Sequence, residues 1–580
     1  MRKSFLLFLL LCLFISGCYS NDITNYKKEV SNEDFNNITA ELTVDHLHNE
    51  DIDNLFVLGK IWGFLKYYHP NIAAGQYNFD KELMKILPEI LQAKNSHERD
   101  KSLEEWIIEL GEFQLLDNEN NILINSKVVP DLGWIDNLNL DNHLIAKLKG
   151  VKNGRRTSTH RYVSLHRTIG NPIFNNEDSY STMDYPSAEY RLLSLYRYWN
   201  IIEYYFPYKY LIGEDWDHVL KEFIPKFIEA SDEKEYKVAV LELIARINDT
   251  HAQIASNEPA LYEFMGINFA PVIVEFIENN LVITDYYDEK LGAGSGLQIG
   301  DVITKVDHKS LEELIKEKLK YISASNYPTK LRELAKNLLR TNGSTLEIEI
   351  IRDGEAKSIT AKAYDPINLH LNNYNPFQKD KNYFELLSDD IGYIYTGSLK
   401  SEYLPEIKSK LEHTKGVIID LRSYPAEFIL YKLGEYFMPE PTKFSKITNG
   451  SIQTPGLFKE SVELSVGNYT ESYYKGKVVI LVNEYTQSQA EFTAMAFQKA
   501  PRATVIGSTT AAADGNISTI TLPGGIETTI SGTGIYYPDG TETQRVGIVP
   551  NMTVRPTIEG VKEKRDEVLE KAIELINEER

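Results

Sequence analysis

Lys477-Val478-Val479-Ile480-Leu481-Val482-Asn483-Glu484-Tyr485-Thr486-Gln487-Ser488-Gln489-Ala490-Glu491 reads as a strand, a short turn and the opening of a helix. The strand is β-branched and apolar on both faces, the pattern of a strand covered on both sides in an α/β sheet. A serine where such a helix opens has an exposed Oγ beside backbone N–H groups with no intrahelical acceptor, and these can hold an oxyanion. Serine is equally a favoured N-cap residue, so the position alone assigns no chemistry.

Three more segments of the same kind surround it: Ile391–Tyr395, Gly416–Leu421 and Ala503–Gly507. Helical spacing falls between them at Glu402–Leu411, Glu427–Tyr436 and Ser488–Lys499, the last with Glu491 and Lys499 placed toward solvent. Strand–helix alternation from about Asp390 predicts an α/β layered domain over 380–580, ending in a C-terminal helix.

Upstream the pattern changes. Gly296-Leu297-Gln298-Ile299-Gly300-Asp301-Val302-Ile303 resembles the glycine-bounded turn and strand of a bacterial PDZ domain. Pro271–Phe276, Leu281–Thr284 and Leu346–Ile351 supply further strands, so 263–370 is expected to be a PDZ-like β domain. Such domains add an extended peptide as a strand to a sheet edge; a lid, a spacer or a β domain without ligand are the alternatives.

Further upstream the chain repeats itself. A shift of 137 positions places Trp62 on Trp199, Tyr67-Tyr68 on Tyr204-Tyr205, Pro70 on Pro207, Asp80 on Asp217 and Pro88 on Pro225. Each copy, 47–190 with an irregular insertion and 191–262, reads as a helix, a Tyr-Tyr-x-Pro turn and two more helices. The second copy ends Asn248-Asp249-Thr250-His251, and His251 aligns with Gln114 of the first. A histidine just past a helix in one copy only points beyond packing; a surface or capping histidine is the plain alternative. We expect the first copy to be a scaffold or substrate gate.

The 580 residues carry 62 basic and 84 acidic side chains, a formal charge of −22, which argues against a nucleic-acid partner. A composition 42% hydrophobic and 25% charged excludes a mostly disordered chain, and the length suggests several domains. Arg2 and Lys3 precede an apolar run, Phe5–Ile15, too short to span a bilayer. The run ends in Ile15-Ser16-Gly17-Cys18, which resembles a bacterial lipoprotein signal. Residues 1–17 are therefore expected to be cleaved, Cys18 to carry the lipid, and the polar residues 18–46 to form a tether in the cell envelope. Cys12 and Cys18 are the chain's two cysteines, so the mature chain would have no thiol nucleophile, Cys-bound zinc or iron–sulfur cluster.

In order, Asp249-Thr250-His251, the PDZ-like stretch, Asp420-Leu421-Arg422 and Ser488-Gln489-Ala490-Glu491 resemble the family S41 serine peptidases, the C-terminal processing peptidases and their tricorn-like relatives. The resemblance implies a PDZ module ahead of a ClpP/crotonase-like α/β catalytic domain, Ser488 as nucleophile and the loop at Ser423-Tyr424-Pro425 beside the oxyanion. Processing peptidases use a Ser–Lys dyad, but Ser508–Asn516, after the last strand, holds no lysine. The tricorn-like branch implies His251 as general base beside Thr250, and a downstream glutamate, here Glu542 among Glu527, Asp539 and Glu542. Oxyanion donors are expected from the N–H of Gln489 and of Ser423 or Tyr424, with Asp514 a turn or supporting residue. No metal or cofactor is implied. Protein or peptide substrates are.

Two rivals remain at this level. Retinoid-binding proteins of the eye share the implied fold without catalysis, so a peptide- or lipid-binding lipoprotein is the alternative. A metal-dependent hydrolase finds only His46/His48 and His160/His166, with no His-Glu-x-x-His.

Overall fold

Two sets of three helices obey the repeat. In the computed structural model, which describes residues 47–116, 126–369, 371, 375–461 and 463–578, the first set is α1 (Asn49–Tyr68), α2 (Phe79–Gln92) and α3 (Ser96–Glu109). The second is α4 (Ala188–Tyr205), α5 (Trp216–Ile228) and α6 (Glu233–Ala245). The signal, Cys18 and the tether lie outside the described residues. Asn78, Asn95, Asp215 and Asp232 each cap a helix by accepting backbone N–H bonds, which is why α2, α3, α5 and α6 start where they do.

The two sets face each other across a pseudo-twofold axis. Lys60 pairs with Asp217 at 2.5 Å and its equivalent Arg197 with Asp80 at 2.8 Å. Trp62 Nε1 donates to Phe79 O and Trp199 Nε1 to Trp216 O. Tyr67 meets Tyr205 edge-on, and Tyr68 meets Tyr204. The aromatic residues shared by the copies therefore pack between the copies as well as within them.

The next body is an antiparallel sheet of β1 (Val272–Ile277), β2 (Asn280–Tyr286), β3 (Val302–Val306), β4 (Thr345–Arg352) and β5 (Glu355–Lys362), in spatial order β5-β4-β3-β2-β1. Helices α7 (Leu311–Lys318) and α8 (Tyr327–Leu338) flank it.

The last body holds the expected α/β sheet. Its strands are β6 (Phe384–Ser388), β7 (Ile391–Tyr395), β8 (Gly416–Asp420), β9 (Lys477–Val482), β10 (Ala503–Gly507) and β13 (Met552–Thr553), hydrogen-bonded in that order. All neighbours are parallel except β6–β7. Helices α9 (Leu404–Leu411), α10 (Leu430–Phe437) and α11 (Gln489–Phe497) pack with it, and α12 (Glu567–Glu578) closes the other face. The segment expected to be helical from Glu427 becomes regular only at Leu430, and the Glu427 carboxylate accepts the Ser401 N–H and hydroxyl.

One element links the two ends of the chain. The hairpin β11 (Ile517–Leu522)–β12 (Ile526–Ser531) leaves this last body and buries Ile520, Leu522, Ile526 and Ile530 in the helical core. Arg197 and Tyr236 bond its backbone at Thr521 O and Pro523 O. It delivers Ser531 to the end of the second helical copy.

Candidate active site

Ser488 sits at the N-cap of α11 with φ 55° and ψ −118°. A serine in this region of backbone space is strained by about 1–3 kcal/mol, and that strain projects Oγ off the strand–helix turn. The conformation is held from below. Ser488 N–H donates to Ala513 O at 3.0 Å and to Glu491 Oε2 at 3.1 Å.

Glu491, expected toward solvent, is buried instead. Besides Ser488 N–H it accepts the Thr510 hydroxyl and the N–H groups of Ala512 and Ala513. It clamps the loop after β10 onto the helix start, and burial pushes its carboxyl up to about 7. Lys499 is exposed as expected.

The same loop carries the histidine segment. Thr250 Oγ1 donates to Ala511 O at 2.9 Å, two residues from the carbonyl that accepts Ser488 N–H. His251, 8% exposed, places Nδ1 2.9 Å from Ser531 Oγ. Ser531 in turn donates Oγ–H to Asp249 Oδ1 at 2.9 Å, and its N–H to Oδ2 at 2.7 Å. An ionised carboxylate only accepts, so the one hydroxyl proton of Ser531 goes to Asp249. The Ser531 oxygen must then accept from His251 Nδ1–H, which leaves Nε2 with its lone pair free. That is the tautomer a general base needs. Burial holds the imidazole below its ordinary pKa, and the Asp249 charge opposes this.

The remaining expected residues fall as follows. Gln489 opens α11, so its N–H has no intrahelical acceptor, and its side chain is turned away onto Glu427 O. Ser423 is fully buried, with Oγ 3.5 Å from Thr396 Oγ1. Tyr424 N–H, one of the two donors expected from this turn, donates to Gln378 Oε1 at 2.8 Å. Asp514 is buried with Oδ2 unpartnered, and desolvation raises its pKa well above the carboxylate range.

Glu542 lies elsewhere. Its Oε1 is 2.9 Å from Tyr210 OH and 3.0 Å from Lys127 Nζ, so it belongs to a different cluster from the carboxylate bonded to Ser531. Two residues on, Gln544 donates to both Asp249 Oδ1 and Ser325 Oγ at 3.2 Å. Asp249, Ser531, Ser325 and Gln544 were not singled out from sequence. Only Asp249, adjacent to Thr250-His251, offered a signal. Among the described residues no group of His, Cys, Asp or Glu is arranged to hold a metal, and no helix is long and apolar enough to cross a membrane.

Residues 390–554 match the family model for Peptidase family S41. A carboxy-terminal-processing protease of Bartonella bacilliformis (strain ATCC 35685 / KC583 / Herrer 020/F12,63) is 26% identical over 292 residues, covering 48% of this chain and 59% of that protein. The chain thus matches somewhat over half the length of that relative. Mature CPAF aligns with a TM-score of 0.52 at 14% identity, over 68% of this chain and 98% of that one. Mature CPAF complexed with lactacystin aligns at 0.51 and 14%, over 67% and 99%. At these identities the likeness is one of fold.

Proposed function

We propose that the chain is a serine peptidase acting on protein or peptide substrates. Ser488 Oγ attacks the scissile carbonyl carbon while its proton passes to His251 Nε2. The carbonyl oxygen becomes an oxyanion beside the Gln489 N–H. His251 then gives the proton to the leaving amine, and a water repeats the sequence on the acyl-enzyme. Asp249 acts through Ser531, keeping His251 in the base-competent tautomer and stabilising it once protonated. The mechanism is thus tricorn-like in using histidine, with Asp249 in the role expected of Glu542. It calls on no lysine, metal or cofactor.

The observation that carries this reading is the suspension of Ser488 and Thr250-His251 from one stretch, Ala511–Ala513, with the Asp249–Ser531 pair behind the histidine. The β1–β5 body serves as a PDZ-like module for substrate capture or gating, and lipidated Cys18 anchors the protein in the envelope. The test is cleavage of an unfolded protein and of a short-peptide library by residues 19–580, beside Ser488→Ala and His251→Ala. Loss of either residue lowers the rate on the order of 10⁴-fold or more. Parent-level activity in either variant rejects this mechanism, and a parent inert toward every substrate and toward a fluorophosphonate probe rejects the reading in favour of a binding protein.

A further inference from the structure

The β1–β5 sheet ends in a slot that is already filled. Strand β1 is the last of its sheet, paired with β2 alone, and α8 packs beside it. A strand edge next to a helix is where an extended peptide adds as a further strand. Here Val272 and Val274 of β1, Ala335 of α8 and Leu339 just past it enclose only about 10 Å³ of free space. The residue that closes the slot comes from another body: it is Tyr485, in the turn between β9 and Ser488.

Two bodies hold this turn. Its own body holds Thr486, whose hydroxyl donates to Leu421 O at 2.9 Å and whose carbonyl accepts Ala511 N–H at 2.9 Å. The residues on either side are held by Arg332 of α8. Arg332 Nη1 donates to Glu484 O, Nη2 donates to Gln487 Oε1 at 3.1 Å, and Nε donates to Glu333 Oε1 at 2.8 Å. The Tyr485 ring lies 5.4 Å from the Arg332 guanidinium and 5.8 Å from the Phe377 ring. Gln487 directly precedes Ser488, and a backbone as strained as that of Ser488 persists only where its surroundings over-determine it.

We infer that the slot between β1 and α8 is the socket of the nucleophile turn, with Arg332 a positioning residue for Ser488. A peptide strand laid along β1 has to expel Tyr485. That expulsion pulls the turn off Arg332 and lets the Ser488 backbone relax. Occupying the edge of the β1–β5 body therefore switches Ser488 off. Of capture and gating, the body performs gating, and the segment seated in it is the chain's own.

The inference rests on the peptidase reading, and its test separates the two. Residues 19–580 hold no cysteine, so Ala335→Cys places a single thiol in the slot. Fluorescein maleimide, to which the thiolate adds with nothing leaving, then stands in for a ligand of the slot. Peptide turnover and fluorophosphonate labelling at Ser488 are followed against the fraction modified, with the same protein before treatment as reference. Both are expected to fall in step with modification. Arg332→Lys keeps the charge beside Glu333 but replaces the two-pronged hold with one ammonium. It is expected to lower kcat and the labelling rate together by about 10–10²-fold, the cost of a nucleophile displaced on the order of 1 Å. KM stays near the parent's and labelling still runs to completion, which a partly unfolded population would not show. Combined with Ala335→Cys, it speeds the reaction of the thiol. Full modification with kcat kept, Arg332→Lys within about threefold of the parent, or a thiol that reacts no faster in Arg332→Lys overturns the inference, while a labelled Ser488 leaves the peptidase reading intact. A parent that neither turns over nor labels overturns both.

Discussion

His251 shows how much one hydroxyl can decide. Without Ser531, Asp249 would face an imidazole whose tautomer nothing specifies; with it, the proton order along Asp249, Ser531 and His251 has one solution. Asp249→Asn breaks that order, since the amide can donate and Ser531 is then free to donate to Nδ1. The expected loss in kcat is about 10²–10⁴-fold, the range for a residue that sets a base's tautomer and stabilises its cation. The pH profile carries the sign. Asp249 raises the histidine pKa against a larger lowering by burial, so removing its charge lowers that pKa further. The acid limb of kcat/KM in Asp249→Asn should therefore move to lower pH, alongside the fall in rate. A profile displaced to higher pH, or an unchanged kcat, would show that Asp249 does not act on His251. Glu542 makes a ready comparison, because its partners are Tyr210 and Lys127. Position was legible at Ser488, which caps α11, and at Thr250-His251, which hangs from the same loop as Ser488. It was illegible at Ser531 and Gln544, which reach Asp249 from 282 and 295 residues away.

At the scale of elements, the repeat was the most readable feature, because shared Trp, Tyr and Pro positions report packing directly. The pairing of the copies left a subtler trace. Gly59 and Gly63 on α1 face Tyr196 and Asn200, their own equivalents on α4, and a Cβ on Gly63 would fall 1.8 Å from Asn200 Cγ. Near the axis of a pseudo-twofold, equivalent positions meet, and two large side chains cannot share the space. One copy is glycine where the other is large. Gly63→Ala, though favourable to helix propensity, should therefore destabilise the protein by about 1–3 kcal/mol through overpacking. Chemical denaturation of Gly63→Ala, of Asn200→Ala and of the double variant tests this. The double variant should recover part of the alanine's cost, and strict additivity would place the clash elsewhere. Burial, by contrast, was misread at Glu491. Helical spacing put it toward solvent, and the loop that folds over it comes from beyond β10.

Over the whole molecule, the boundaries drawn from the sequence put the histidine-bearing copy (191–262) and the α/β domain (380–580) apart, with the PDZ-like domain between them, yet the structure crosses both lines with the β11–β12 hairpin. Its apolar residues Ile520, Leu522, Ile526 and Ile530 alternate like those of any half-buried strand, so the sequence shows that they are covered without showing by what. They are covered by the helical copies. Full burial of four such side chains is worth about 6–12 kcal/mol, at 1.5–3 kcal/mol each. That is comparable with the 5–15 kcal/mol net stability of a typical domain. Residues 263–580 cannot then be an independent unit: cut free, they expose this hairpin and lose both His251 and the groups that hold Ser531. Residues 263–580 alone should be poorly soluble, bind a dye for exposed apolar surface, and fail to label at Ser488. Added in trans, residues 47–262 should restore labelling by recapturing the hairpin. Ile530→Asp in the 263–580 fragment should abolish that rescue, because a charge would enter the helical core unpaired. A soluble 263–580 that labels as fast as the full chain would mean that the histidine contributes nothing to activating Ser488, and that the hairpin only fastens one half to the other.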